Sequence, residues 1–272
     1  METLHYEQIG HVGWLRLNRP HKLNAMTAQL WNEMLTLGNE LREDPTIRAL
    51  VVIGEGRTFS AGIDTSEFSG DLFTNKNGTE NSNARQNDDP IATTILTLQN
   101  SFTWLEEAPF ATIAAVRGHA LGAGLQLALA CDIRVIARGT KLGLLEHRYG
   151  LIPDLGGTQR LTRLVGAGKA KELTFTAAQI EAEEALRIGL AERVVDDAQL
   201  EQTVTELAEH IAAQPPLAVR YAKRAINAAF DVPVREGLRL EATGQSVCMR
   251  SDDFKEAIRA FTERRTPRYE GR

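Results

Sequence analysis

Phe59-Ser60-Ala61-Gly62-Ile63-Asp64 and Arg117-Gly118-His119-Ala120-Leu121-Gly122-Ala123-Gly124 are the two stretches on which the reading of this chain turns. Each is a turn of small residues placed after an apolar run. Leu50-Val51-Val52-Ile53 precedes the first, and Ala111-Thr112-Ile113-Ala114-Ala115-Val116 precedes the second. The pattern predicts two backbone loops that each aim one N–H at the same carbonyl oxygen. Such a pair suits a site for an anion forming on a substrate, rather than one built around a nucleophilic side chain.

Outward from these loops, strands and helices alternate. Residues 4–18 alternate in polarity around Gly10 and Gly13, which predicts a hairpin ending in Trp14-Leu15-Arg16-Leu17. Asn24 to Arg42 carries Met26, Leu30, Met34, Leu37 and Leu41 at helical spacing, with Thr27 as the expected cap. Asp44-Pro45 stops that helix, and 49–53 reads as a buried strand. A strand over 111–116, a helix over 123–131 and a strand over 133–137 continue the alternation, so the fold class is α/β with a mainly parallel sheet. From Glu181 onward the pattern is helical, with segments at 198–213, 217–230, 234–249 and 252–264. This divides the chain into an α/β core over 1–195 and a C-terminal helical section over 196–272. The latter is expected to pack back on the sheet or to form a subunit interface. Residues 70–90 are rich in Asn, Asp and Gly, and read either as a lid beside the first loop or as a solvated insertion.

Composition narrows the function classes. At 272 residues, 25% charged and 43% hydrophobic, the chain has the make-up of an ordinary soluble globule. A formal net charge of -5 argues against a nucleic-acid partner held by phosphate contacts. No run of eighteen apolar residues and no basic-then-apolar start is present, so neither a membrane span nor secretion is expected. Cys131 and Cys248 lack metal-ligand spacing, and no metal site is expected; reduced thiols in a cytoplasmic protein are the plain expectation.

Taken in order, the motifs resemble the crotonase (enoyl-CoA hydratase/isomerase) superfamily over essentially the whole chain. They begin with Asn18-Arg19-Pro20-His21-Lys22-Leu23-Asn24-Ala25 and the two glycine loops, and continue through Ala130-Cys131-Asp132 and Gly150-Leu151-Ile152-Pro153. Gly156-Gly157-Thr158-Gln159-Arg160-Leu161 and Phe261-Thr262-Glu263-Arg264-Arg265 complete the set. The resemblance implies a spiral of ββα units, an acyl-CoA thioester substrate with coenzyme A as part of it and no separate cofactor, and a homotrimer or homohexamer. It also implies that the backbone N–H groups of Ile63 and Ala123 form the oxyanion hole, with Ala61, Gly62 and Gly122 against the thioester. Small residues there let the substrate approach the backbone closely, and an N–H in the first turn of a helix favours negative charge.

The resemblance also implies the catalytic groups, and here the chain departs from the hydratase pattern. Two glutamates would add water in such an enzyme; one position is Gln126 and the other Glu146. Gln126 cannot carry a proton, although it can hydrogen-bond a water or the thioester region. Glu146 alone suffices for a 1,3-shift of a double bond: one carboxylate removes a proton beside the thioester, and the same carboxylate returns it farther along. Enoyl-CoA isomerisation is therefore the favoured reaction, with hydration as the alternative and a non-catalytic CoA-binding protein as a third reading. Asp154 adds a second carboxylate, either an acid–base partner for Glu146 or a cap for a helix starting near Gly157. Arg19, Lys22, Leu23, Arg264 and Arg265 are the candidates for contact with coenzyme A. No Gly-x-Ser-x-Gly elbow supports a serine nucleophile.

Overall fold

The computed structural model describes residues 1–69 and 89–272. The expected lid or insertion over 70–90 lies almost wholly outside the described residues. Strands β1 (Leu4–Ile9) and β2 (Val12–Leu17) form the hairpin, and α1 (Ala28–Glu43) follows. The Thr27 hydroxyl accepts from the Leu30 N–H and caps α1, which buries Leu30, Trp31, Met34, Leu37 and Leu41. β3 (Ala49–Gly54) is buried along its whole length. Each fully buried Val, Leu or Ile side chain contributes about 1.5–3 kcal/mol, so this run anchors the sheet.

Two successive units then repeat one plan. β4 (Ala111–Val116), β5 (His119–Leu121) and α3 (Ala123–Ala130) make the first; β6 (Ile133–Ala137), β7 (Lys141–Gly143) and α4 (Gly157–Thr176) make the second. The chain closes the sheets with β8 (Ile180–Glu181), α5 (Ala182–Arg187) and β9 (Arg193–Val195). The large sheet runs β1-β2-β3-β4-β6-β9, antiparallel at β1–β2 and parallel elsewhere. The small sheet runs β5-β7-β8. In each unit the first strand joins the large sheet and the second joins the small one, before a helix returns: the ββα spiral the resemblance implied.

Helix α2 (Pro90–Glu107) was not anticipated. It begins at Asp89, whose carboxylate accepts from the Ile91 N–H, and it buries Leu98, Phe102, Trp104 and Leu105. Those residues join α1 and α3 in the main core, on one face of the large sheet. The opposite face is covered by α6 (Leu200–Ala212), through Leu200, Val204, Ala208 and Ala212 packed on Val51, Ile113 and Val135. The sheet core therefore takes in the first helix of the C-terminal section. Beyond it, α7 (Pro216–Ala228), α8 (Val234–Arg250) and α9 (Asp252–Glu263) bury few side chains of their own and leave Ile226, Phe230, Val234, Leu238, Ile258 and Phe261 exposed. No helix among the described residues is long and apolar enough to cross a membrane.

Candidate active site

β3 delivers residues 59–64 and β4 delivers residues 117–122, and backbone hydrogen bonds zip the two loops together. The Phe59 N–H donates to the Arg117 carbonyl at 2.9 Å, Ser60 to His119 at 2.9 Å, and Leu121 to Ser60 at 3.1 Å. On its other side the first loop is tied to the N-terminal segment. Ala61 N–H donates to the Leu23 carbonyl, Met26 N–H to Gly62, and Asp64 N–H to Met26. Ser60 Oγ takes the Gly62 N–H, and the Gly143 carbonyl takes the Gly122 N–H. This pairing engages every amide around Ile63 but leaves that of Ile63 itself. Ala123 opens α3, where a first-turn N–H has no intrahelical acceptor. Among the described residues neither the Ile63 nor the Ala123 N–H donates a hydrogen bond. Gly62 has φ +103°, and a Cβ there would stand 2.8 Å from the Leu121 carbonyl oxygen and 3.8 Å from the Ala123 nitrogen. Only glycine fits so close an approach, and the approach brings the two free amides into neighbouring loops.

Both open onto a cleft of about 1080 Å³, whose wall includes Ala61, Gly62, Ile63, Gly122 and Ala123. Glu146 and Asp154 line the same cleft. Glu146 begins a short 3-10 turn (Glu146–Tyr149) after β7. Its Oε1 accepts from Gln126 Nε2 at 2.8 Å, while its Oε2 is buried without a partner. Burial pushes the Glu146 carboxyl above its ordinary value of 4.5, and the negative charge of Asp154 adds to the rise, against the opposing pull of its own backbone N–H and of the hydrogen bond from Gln126. Burial likewise raises Asp154 above 3.8. Asp154 does not cap α4: the cap residue is Gly156 and no side chain serves it. That alternative is corrected, because the chain makes a left-handed turn at Gly156 before the helix begins and leaves the aspartate facing the cleft.

Gln126 is 1% exposed and forms no part of the cleft wall; it reaches the site through Glu146. Lys22 does line the cleft. Leu23 contributes its carbonyl to Ala61 from a left-handed backbone (φ 52°) and does not line it. Arg264 terminates α9, away from the cleft of its own chain. Arg19 donates through both terminal nitrogens to Asp64 Oδ2 at 3.0 Å, which fastens the N-terminal segment to the Ile63 loop instead of offering a free cation. Arg265 is similarly committed, to Glu256 and Glu263. The far wall was not foreseen from sequence. There Gln99 donates to the Asp154 carbonyl at 2.7 Å, and Arg160 bridges the Leu155 carbonyl, Thr103 and Glu106. The signal available was the cation one helical turn after Gly156-Gly157, without any hint of its partners on α2.

Two free amides on the wall of one cleft, with the Glu146 carboxylate on the same wall, define the class: an enzyme of the crotonase superfamily. Comparison with known proteins agrees. The family model described as "Enoyl-CoA hydratase/isomerase" matches residues 7–272, and the chain belongs to that family. It is 36% identical over 261 residues to the short-chain-enoyl-CoA hydratase of Clostridium acetobutylicum, covering 95% of this chain and 94% of that one. The crystal structure of an enoyl-CoA hydratase from Bacillus anthracis superposes with a TM-score of 0.89 at 35% identity, over 99% of this chain and 100% of the other. A Thermobifida fusca protein solved in complex with CoA is 40% identical, with a TM-score of 0.80, over 91% and 93% of the two chains.

Proposed function

We propose that this enzyme shifts the double bond of an enoyl-CoA, with Glu146 as its base. The observation that carries the proposal is Glu146, whose buried Oε2 has no hydrogen-bond partner, on the wall of a cleft that also holds two unengaged amides. Oε2 removes a proton from the carbon between the alkene and the thioester of a 3-enoyl-CoA. The electron pair moves onto the thioester oxygen, where the Ile63 and Ala123 N–H groups hold it. The dienolate then takes the same proton back at the far end of the conjugated system, giving the 2-enoyl-CoA. Burial that raises the Glu146 carboxyl brings it closer to neutrality, where a general base works best. Proton transfer of this kind needs no cofactor, coenzyme A being part of the substrate, and Lys22 on the cleft wall is a cation for its phosphates. We place the enzyme in the cytoplasm, in keeping with two free cysteines.

One observation favours a second reading, water addition to a 2-enoyl-CoA: Asp154 supplies a second carboxylate to the same cleft. Relatives such as the Clostridium protein also carry the name hydratase. Incubation of the purified protein with 3-enoyl-CoA and separately with 2-enoyl-CoA decides between them. Isomer from the first supports double-bond shift, 3-hydroxyacyl-CoA from the second supports hydration, and no turnover of either rejects both.

The chain is further proposed to assemble as a homotrimer or homohexamer through α7–α9. Their apolar side chains lie exposed on the single chain, and burying them between copies removes that surface from water.

A further inference from the structure

Gln126 stands where the two-glutamate pattern has an acid, and the side chain is nonetheless fully engaged. Its Oε1 accepts from the Leu155 N–H at 2.8 Å and from the Gly157 N–H at 2.9 Å. Both are backbone donors in the turn that follows Asp154. With the carbonyl end held by two amides, the NH2 end has one orientation left, and it donates to Glu146 Oε1 at 2.8 Å. A Cβ on Gly157 would fall 2.8 Å from Gln126 Oε1, so the turn must carry glycine for the clamp to close.

We infer that Gln126 is a positioning residue: it grips Oε1 of Glu146, leaves Oε2 without a hydrogen-bond partner, and ties the base to the loop that bears Asp154. A carboxylate in its place keeps the two backbone donors but meets Glu146 acceptor to acceptor, so that contact survives only with a proton shared between them. The amide supplies the same hydrogen bond at every pH. The base then keeps one oxygen clear of hydrogen bonds in its ionised form.

Few other charges act on Glu146. Asp154, which lines the same cleft, is the charged side chain that acts on it. On its own turn, the Arg148 guanidinium is spent on the Ala177 carbonyl and His147 lies against the Phe175 ring. From α3 only Gln126 hydrogen-bonds to it. Burial is the largest influence on this carboxyl, and Gln126 and Asp154 are the side chains whose replacement should move the acidic limb of the kcat/KM profile.

The inference rests on Glu146 as the base, and the test separates the two. Gln126→Met keeps the side chain's length but removes both the donor and the acceptor. We expect its acidic limb to move up by about one pH unit, the size of a charge-assisted hydrogen bond to one ionised form. We expect kcat to fall by about 10-fold or more, with KM nearly unchanged, since misalignment of a reacting group acts on the chemical step. Gln126→Glu, which donates while it holds a proton, should return the acidic limb towards its original position and add a new alkaline limb where that proton leaves. An acidic limb unmoved in Gln126→Met, or kcat and KM altered together, would overturn the positioning role. Should Gln126→Met fail to fold, a Gln126→Glu profile without the alkaline limb would do the same. If Glu146→Gln itself retains activity, the base assignment fails first; if it is inactive while the Gln126 profiles are unmoved, only the clamp is lost.

Discussion

Replacing Glu146 by Gln removes the proton acceptor while disturbing little else, and its effects can be worked from the contacts. The two side chains match in shape, and Gln126 Nε2 can donate to the new amide oxygen as it does to Glu146 Oε1 at 2.8 Å. The free amides of Ile63 and Ala123 are untouched, so binding of the thioester should persist. What disappears is the basic Oε2. A positioned acid–base group is worth about 10²–10⁴ in rate, so kcat should fall at least about 10²-fold, close to 2.7 kcal/mol of barrier. KM should change little. The same substitution carries a stability signature of opposite sign. Burial raises the Glu146 carboxyl above its ordinary 4.5, so the ionised group destabilises the fold: nothing is lost below 4.5, and the full cost applies above the raised value. Glu146→Gln should thus melt at a higher temperature than the parent protein at neutral pH, and the gain should vanish as pH falls below 4.5. Steady-state kinetics on 3-enoyl-CoA, exchange of the substrate's acidic protons into heavy water, and thermal melts across pH measure all three. Near-normal turnover together with undiminished exchange would refute the reasoning.

Other expectations follow from the same contacts. Gly62→Ala forces a side chain to within 2.8 Å of the Leu121 oxygen and turns the Ile63 amide away; kcat should drop by about 10²–10³, the cost of one lost oxyanion donor, and an unchanged kcat would remove Ile63 from the site. Asp154→Asn takes away a negative charge that raises Glu146, so the acidic limb of the pH–rate profile should move down. Its isomerase kcat should fall by less than about 10²-fold, whereas loss of all 3-enoyl-CoA turnover would make Asp154 indispensable to the shift. Phe261 is 85% exposed on α9; Phe261→Asp should give a smaller species in analytical ultracentrifugation than the parent protein, and identical sedimentation would exclude that face from assembly.

Local physics made much of the scaffold legible. The largely apolar runs 50–53 and 111–116 become β3 and β4, because residues buried on both faces of a parallel sheet need no alternation. Thr27 caps α1 through its own hydroxyl, a contact reaching only three residues along the chain. The glycines before Ile63 and Ala123 already pointed to backbone brought close to a ligand. Helix α2 was not legible: threonines interleave its apolar face, and its partners on α1 and α3 are distant in sequence.

The sequence by itself determined the order of strands and helices, the two glycine turns and the presence of Glu146, since each depends on neighbours a few positions away. Only the tertiary structure decided that Arg19 belongs to Asp64, that Asp154 faces the cleft rather than a helix end, and that Gln126 holds Glu146 from the far side. The two hydrogen-bonded pairings join residues 45 and 20 positions apart, and hydrogen bonds of a few ångströms carry no trace in the spacing of the residues that make them.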